Sequence, residues 1–124
     1  HHKHSYYLIK NSQLPGINSD ALNVVAAIAR YHRRGLPKSS NPEYTQLDAP
    51  SRVLVSKLAA ILRVADALDR SHNAKFAKLR ISFERGKMLI NADSRSMDTN
   101  SEVFALKSKS DLFFEVYGIK PELV

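Results

Sequence analysis

The side chains with the most chemical potential in this 124-residue chain are a scattered set of imidazoles and carboxylates: His1, His2, His4, His32, Asp66, Asp69 and His72. Together these groups form the ligand set for hard or borderline divalent metals, and metal-bound water is a standard device of phosphoester chemistry. They are far apart in sequence. Whether any of them meet depends on the elements that carry them.

Residues 48–72, DAPSRVLVSKLAAILRVADALDRSH, read as one long helix. Pro50 suits a first turn, where its missing N–H costs nothing. Leu54, Leu58, Ile61, Ala65 and Leu68 then recur at the spacing of one helical face. At about 100° per residue, Asp66 aligns with Val55, Ala59 and Leu62, and Asp69 falls between that row and the leucines. Both carboxylates are therefore expected on or beside the apolar half, with Lys57, Arg63 and Arg70 on the other side. A carboxylate turned toward a core requires a metal, a cation or several hydrogen-bond donors. The residues leave all three open.

A second helix is predicted over 20–34, capped by Asn18 or Ser19 and stopped by Gly35. Leu22, Val25, Ile28 and Ala29 are expected to face inward. His32 falls within that arc, while Asn23, Arg30 and Arg34 point away. His32 and Asp66 are thus both expected on inward faces of adjacent helices. The run YHRRGLPK, residues 31–38, sets a histidine and three basic groups beside a Gly-x-Pro turn. It reads either as a phosphate cradle or as a cationic helix end that complements the helix dipole.

Several chemistries are excluded. Cysteine is absent, which removes disulfides, thiolate metal sites and a thiol nucleophile. There is no Gly-x-Ser-x-Gly elbow, Walker A loop or dinucleotide-binding glycine run. With only four glycines, a glycine-rich phosphate loop is ruled out. No apolar run reaches the ~18 residues of a membrane span, and no signal peptide is read at the start. A cytoplasmic location suits this pattern.

The other elements are shorter. A helix is predicted over 2–12, ending near Leu14-Pro15-Gly16. Residues 36–47 are rich in Pro, Ser and Asn and read as a loop. After His72 the period changes: Leu79, Ile81 and Phe83 alternate with Arg80 and Ser82 as in a strand. Residues 85–87 form a hairpin turn, 88–92 the return strand and 94–100 a loop. Val103, Leu106, Ser110, Phe113 and Tyr117 mark one last helix over 100–117, and 119–124 add a short third strand. The apolar share of 44% fits a folded domain.

The net charge of +7 is unevenly placed. Residues 1–76 hold 11 Lys/Arg against 5 Asp/Glu, and residues 77–124 hold 8 against 7. Such a surface favours polyanions: nucleic acid, polyphosphate or a polyphosphorylated nucleotide. Nucleic acid is the weakest of these, because no helix-turn-helix or RNA-recognition signature occurs and aromatics do not interleave with the basic cluster.

The segments HHKHSYYLIKNSQLPGINSD, ARYHRRGLPK and LRVADALDRSH, in that order, resemble the C-terminal HD-like domain of the exopolyphosphatase/guanosine pentaphosphatase (Ppx/GppA) phosphatases. The likeness is close over 5–72 and looser through LFFEVYGIKPEL. It implies a mainly α fold: a partial HD-domain-like helical bundle over 1–76, then a small β-β-α(-β) appendage over 77–124 packed with it as one unit. It also implies two actin-like domains upstream that carry the hydrolytic groups. The parent reaction would release terminal phosphate from polyphosphate, or convert guanosine pentaphosphate to tetraphosphate, usually with Mg²⁺.

On that resemblance this chain is an accessory domain with no catalytic residue of its own, contributing polyanion binding and a homodimer surface. Arg30, Arg33, Arg34, Lys38, Arg63 and Arg70 are the expected anion contacts. Asp66 matches the late Asp of the HD pattern, and His4 and His32 match its optional histidines. The first His and the His-Asp doublet would lie upstream of His1, so the set His4, His32 and Asp66 is incomplete for Mg²⁺ or another divalent metal. Asp69 matches no motif position and is expected in a helix-to-helix salt bridge. The alternative reading is a metal-dependent HD-type phosphohydrolase acting on a nucleotide phosphoester.

Overall fold

A computed structural model describes residues 2–33, 35–94 and 98–124, without the side chains of His2 and Ser94. Among the described residues the order is α1 (His2–Lys10), α2 (Ser19–Tyr31), α3 (Pro42–Thr45), α4 (Ala49–Leu68), β1 (Phe76–Glu84), β2 (Lys87–Ser94), α5 (Asn100–Lys109), α6 (Asp111–Tyr117) and β3 (Lys120–Leu123). The mainly helical fold with a small sheet is as expected. The chain divides into two compact units, His1–Ala59 and Ala60–Val124, with the division inside α4.

In the first unit, α1 packs along α2. Asn18 caps α2: its side chain accepts a hydrogen bond from the Ala21 N–H at 2.8 Å. Asp20 sits in the first turn, where the helix dipole favours an acid. The buried face of α2 is Leu22, Ala26, Ala27, Arg30 and Tyr31. Two orientations differ from the sequence reading: Val25 is exposed, and Arg30 is buried rather than pointing away. Small side chains at Ala26 and Ala27 define the face of close approach, which shifts the inward arc.

Within the stretch read as loop, Pro42 opens the short helix α3, its fixed φ suiting the first helical position. Tyr44 of α3 meets the Tyr31 ring edge-on at 6.3 Å, and its hydroxyl shares a hydrogen bond with Ser56 Oγ at 3.2 Å. Helix α4 is started by Asp48, which accepts the Ser51 N–H at 2.8 Å. Hydrogen bonds from the Ser51 hydroxyl and N–H hold the Asp48 carboxyl below its usual range.

The inward face of α4 is not the leucine row. Val55, Ala59, Ala60, Arg63, Val64 and Ala67 are buried, while Leu54, Leu58, Ile61 and Leu62 are exposed. The buried row runs mostly through alanine and valine, which allow close approach. The bulkier residues project beside it.

In the second unit, β1 and β2 pair antiparallel and β3 joins β2 in parallel, giving the order β1-β2-β3. The hairpin turn is Arg85–Gly86, both with positive φ (48° and 77°). That is a two-residue type I′ loop, whose twist matches the strands. The last helix is two: α5 ends at Lys109, and α6 restarts at Asp111 after Ser110. The Ser110 hydroxyl donates to the Leu106 carbonyl. Gly118, with φ 66°, caps α6 in the left-handed conformation and releases the chain into β3. Helices α5 and α6 lie against β3. Leu106, Ser110 and Phe113 of the predicted row are buried, together with Met88, Ile90, Leu112 and Pro121.

Candidate functional site

Asp66 is the residue for which the sequence demands a partner, and the partner is a cation. Lys109 Nζ donates to Asp66 Oδ2 at 2.8 Å, and both side chains are largely buried. One turn earlier on α4, Arg63 Nη2 lies 3.2 Å from Asp111 Oδ1. Arg63 is only 5% exposed, contrary to the outward placement expected for it. The two pairs fasten α4 on either side of the α5–α6 joint, because Lys109 ends α5 and Asp111 begins α6.

A second ionic cluster, unforeseen from the sequence, surrounds Glu102 at the start of α5. Its side chain is fully buried. Oε1 accepts from the Ser71 hydroxyl at 2.6 Å and from the Ser71 N–H at 3.3 Å. Oε2 accepts from the Ser101 hydroxyl at 2.8 Å and from Lys75 Nζ at 3.1 Å. Burial alone would raise the carboxyl's pKa. The hydrogen bonds from Ser71, Ser101 and Lys75 overcome it and hold the group down at about 2. Ser71 and Lys75 are 31 and 27 residues from Glu102 in sequence, so no local pattern announces the cluster.

In the first unit, Arg30 Nε lies 2.8 Å from Glu43 Oε1, and its guanidinium sits 5.4 Å from the Tyr31 ring centre. Burial pushes the Tyr31 hydroxyl above its ordinary pKa. His32 follows α2, half-buried, with Nδ1 2.6 Å from the Ala29 carbonyl oxygen. His4 is exposed on α1. His4 and His32 belong to the first unit and Asp66 to the second. Asp69 pairs with His72, 3.5 Å away and three residues on, rather than with another helix.

Among the described residues, no group of three or more His, Cys, Asp or Glu is placed to hold a metal ion. Asp66 Oδ2 faces an ammonium rather than further carboxylates. These residues do not by themselves fit a divalent-cation centre, and the chemistry they offer is that of fixed charge.

That charge is sorted by burial. Arg30 and Arg63 are internal and neutralised by carboxylates. Arg33, Lys38 and Arg70 are exposed, and none has an ion pair among the described residues. Arg34 lies outside the described residues. The backbone between Arg33 and Lys38 passes through Gly35 at φ 70°. Asn41 Oδ1 accepts the Lys38 N–H at 3.2 Å, and the Asn41 N–H donates to the Lys38 carbonyl at 2.9 Å. These bonds fix the main chain and leave the Lys38 ammonium in water. Also among the described residues, no helix is long and apolar enough to cross a membrane.

Over 65 residues the chain is 37% identical to a guanosine-5′-triphosphate,3′-diphosphate pyrophosphatase of Pseudoalteromonas translucida (strain TAC 125). That match covers 52% of this chain and 12% of the relative's length. The family model for domain III of the Ppx/GppA phosphatases matches residues 1–111, and by that match the chain belongs to the Ppx/GppA phosphatase family.

Proposed function

We propose that this chain is the C-terminal accessory region of an exopolyphosphatase/guanosine pentaphosphatase-type phosphoanhydride hydrolase. Residues 1–76 serve as its HD-like part and 77–124 as its appendage. It binds polyanion and self-associates, while catalysis resides in actin-like domains upstream within the cytoplasmic parent. A divalent cation such as Mg²⁺ belongs, on this reading, with those upstream domains. The substrate handled by the parent is polyphosphate or guanosine pentaphosphate.

The observation that carries the reading is the sorting of cations. Two acids of the basic region are engaged by cations, Glu43 with Arg30 and Asp66 with Lys109, and Asp48 caps α4. Arg33, Lys38 and Arg70 are exposed and have no ion pair among the described residues. Exposed guanidinium and ammonium groups of this kind attract the repeated negative charges of a phosphate chain, and such binding is weakened by salt. Filter binding of long-chain polyphosphate tests it. Retention at low ionic strength that falls as salt rises is expected, and no retention at low salt removes the polyanion role.

A further inference from the structure

Within the second unit, α5 and β3 leave a groove between them, with a cavity of about 500 Å³. That is the size of many small-molecule sites. Its apolar lining is Val103 and Leu106 from α5 and Pro121 and Leu123 from β3. A second cavity of about 300 Å³ lies beside Phe114 of α6. Lys107, Ser110 and Lys120 line both.

The charges in this lining are unequally engaged. Its two acids are already paired: Asp111 with Arg63 and Glu122 with Lys87, each at 3.2 Å. The Ser110 hydroxyl donates to the Leu106 carbonyl. Lys107 and Lys120 are exposed and have no ion pair among the described residues. The two ammonium groups are therefore the side-chain donors left for a ligand.

We propose that this groove binds a small organic acid. Its apolar body lies against Val103, Leu106, Pro121 and Leu123, and its anionic group lies between Lys107 and Lys120. Two like charges lining one cavity favour an anion between them. An added peptide strand suits the site less well. Lys120 and Val124 spend their N–H groups on Gly86 and Ile90 of the neighbouring chain segment, so Pro121 and Leu123 turn their backbone outward. Pro121 has no N–H to offer there. A bare phosphate chain would leave the apolar lining unused. The proposal goes beyond the polyanion role given to Arg33, Lys38 and Arg70 and does not rest on it.

Titration of the isotope-labelled full chain with naphthoate, followed by amide chemical shifts, tests it. Saturable shifts clustered on Val103, Leu106, Lys107 and Leu123 are expected. Lys107→Gln and Lys120→Gln, both at exposed positions, should each weaken binding about three- to tenfold, and the neutral analogue naphthalenemethanol should bind about tenfold more weakly. Lys107→Arg and Lys120→Arg should keep most of the affinity. Inorganic phosphate should bind about tenfold more weakly than naphthoate or worse, having no apolar surface to bury. An absence of saturable shifts at these amides overturns the proposal. So does a neutral analogue, or a pair of glutamine variants, that matches the acid on the wild-type chain, since the site would then be apolar contact alone. Phosphate binding as tightly as naphthoate would reduce the site to bare charge and overturns it too. Polyphosphate retention is measured separately, so either reading can fall without the other.

Discussion

Lys109 Nζ and Asp66 Oδ2 are 2.8 Å apart, with each side chain about 15% exposed. Removing one partner of a buried pair strands the other charge and costs about 3 kcal/mol or more. Asp66→Ala and Lys109→Ala should therefore each lower the stability of the second unit by roughly that amount. The double variant should cost much less than the sum, and thermal melts of the four proteins in a double-mutant cycle measure the coupling.

Glu102 gives the chain an acid-sensitive point. Its carboxyl titrates at about 2 in the folded chain, against an ordinary value of 4.5. Because the folded value is depressed, the stabilisation is complete above 4.5 and is lost progressively as pH falls toward 2. A Glu102→Gln variant should be less stable at neutral pH and should show a flatter loss of stability in that window. Melting temperature against pH for both proteins is the check.

Arg33 and Lys38 differ from Arg30 and Arg63 in what their loss would change. Arg33→Gln and Lys38→Gln should leave the melting temperature within a degree or two, since exposed substitutions move stability by about 0.5 kcal/mol or less. They should weaken polyphosphate retention and reduce its salt slope by about one per contact removed. Arg30→Gln and Arg63→Gln should do the reverse, lowering stability because Glu43 or Asp111 is left without its guanidinium.

Ala74 occupies left-handed backbone at φ 47°, two residues after His72 at φ 54°. For a side chain with a Cβ this region costs on the order of 1 kcal/mol, and glycine avoids that cost. Ala74→Gly should raise the melting temperature by a few degrees, measured by circular dichroism.

Helix existence was readable in this chain where caps and stops are local, as with Asn18 before α2 and Gly118 after α6, whereas the four-residue α3 opened by Pro42 was hidden in a stretch that reads as loop. Facing was read less well. On α4, hydropathy favours the leucine row, but close approach favours alanine, and Ala59, Ala60 and Ala67 take the inner side. The break at Ser110 was hidden because Leu106, Ser110 and Phe113 keep helical spacing across it. At the ionic clusters, Asp66's need for a partner was legible, since a carboxylate beside an apolar row cannot stand alone. The identity of that partner was not, because Lys109 is 43 residues away. Glu102 resembles any acid in a first helical turn, and only the distant Ser71 and Lys75 make it internal.

The parallel pairing of β3 with β2 bears on the order in which the chain assembles. The β1–β2 hairpin closes through adjacent residues and needs only its own turn. Strand β3 must wait for α5 and α6 before Lys120 can reach Lys87, and such distant contacts form late. During synthesis the hairpin therefore emerges from the ribosome before its β2 flank is paired, and the four-residue strand β3 seals that flank.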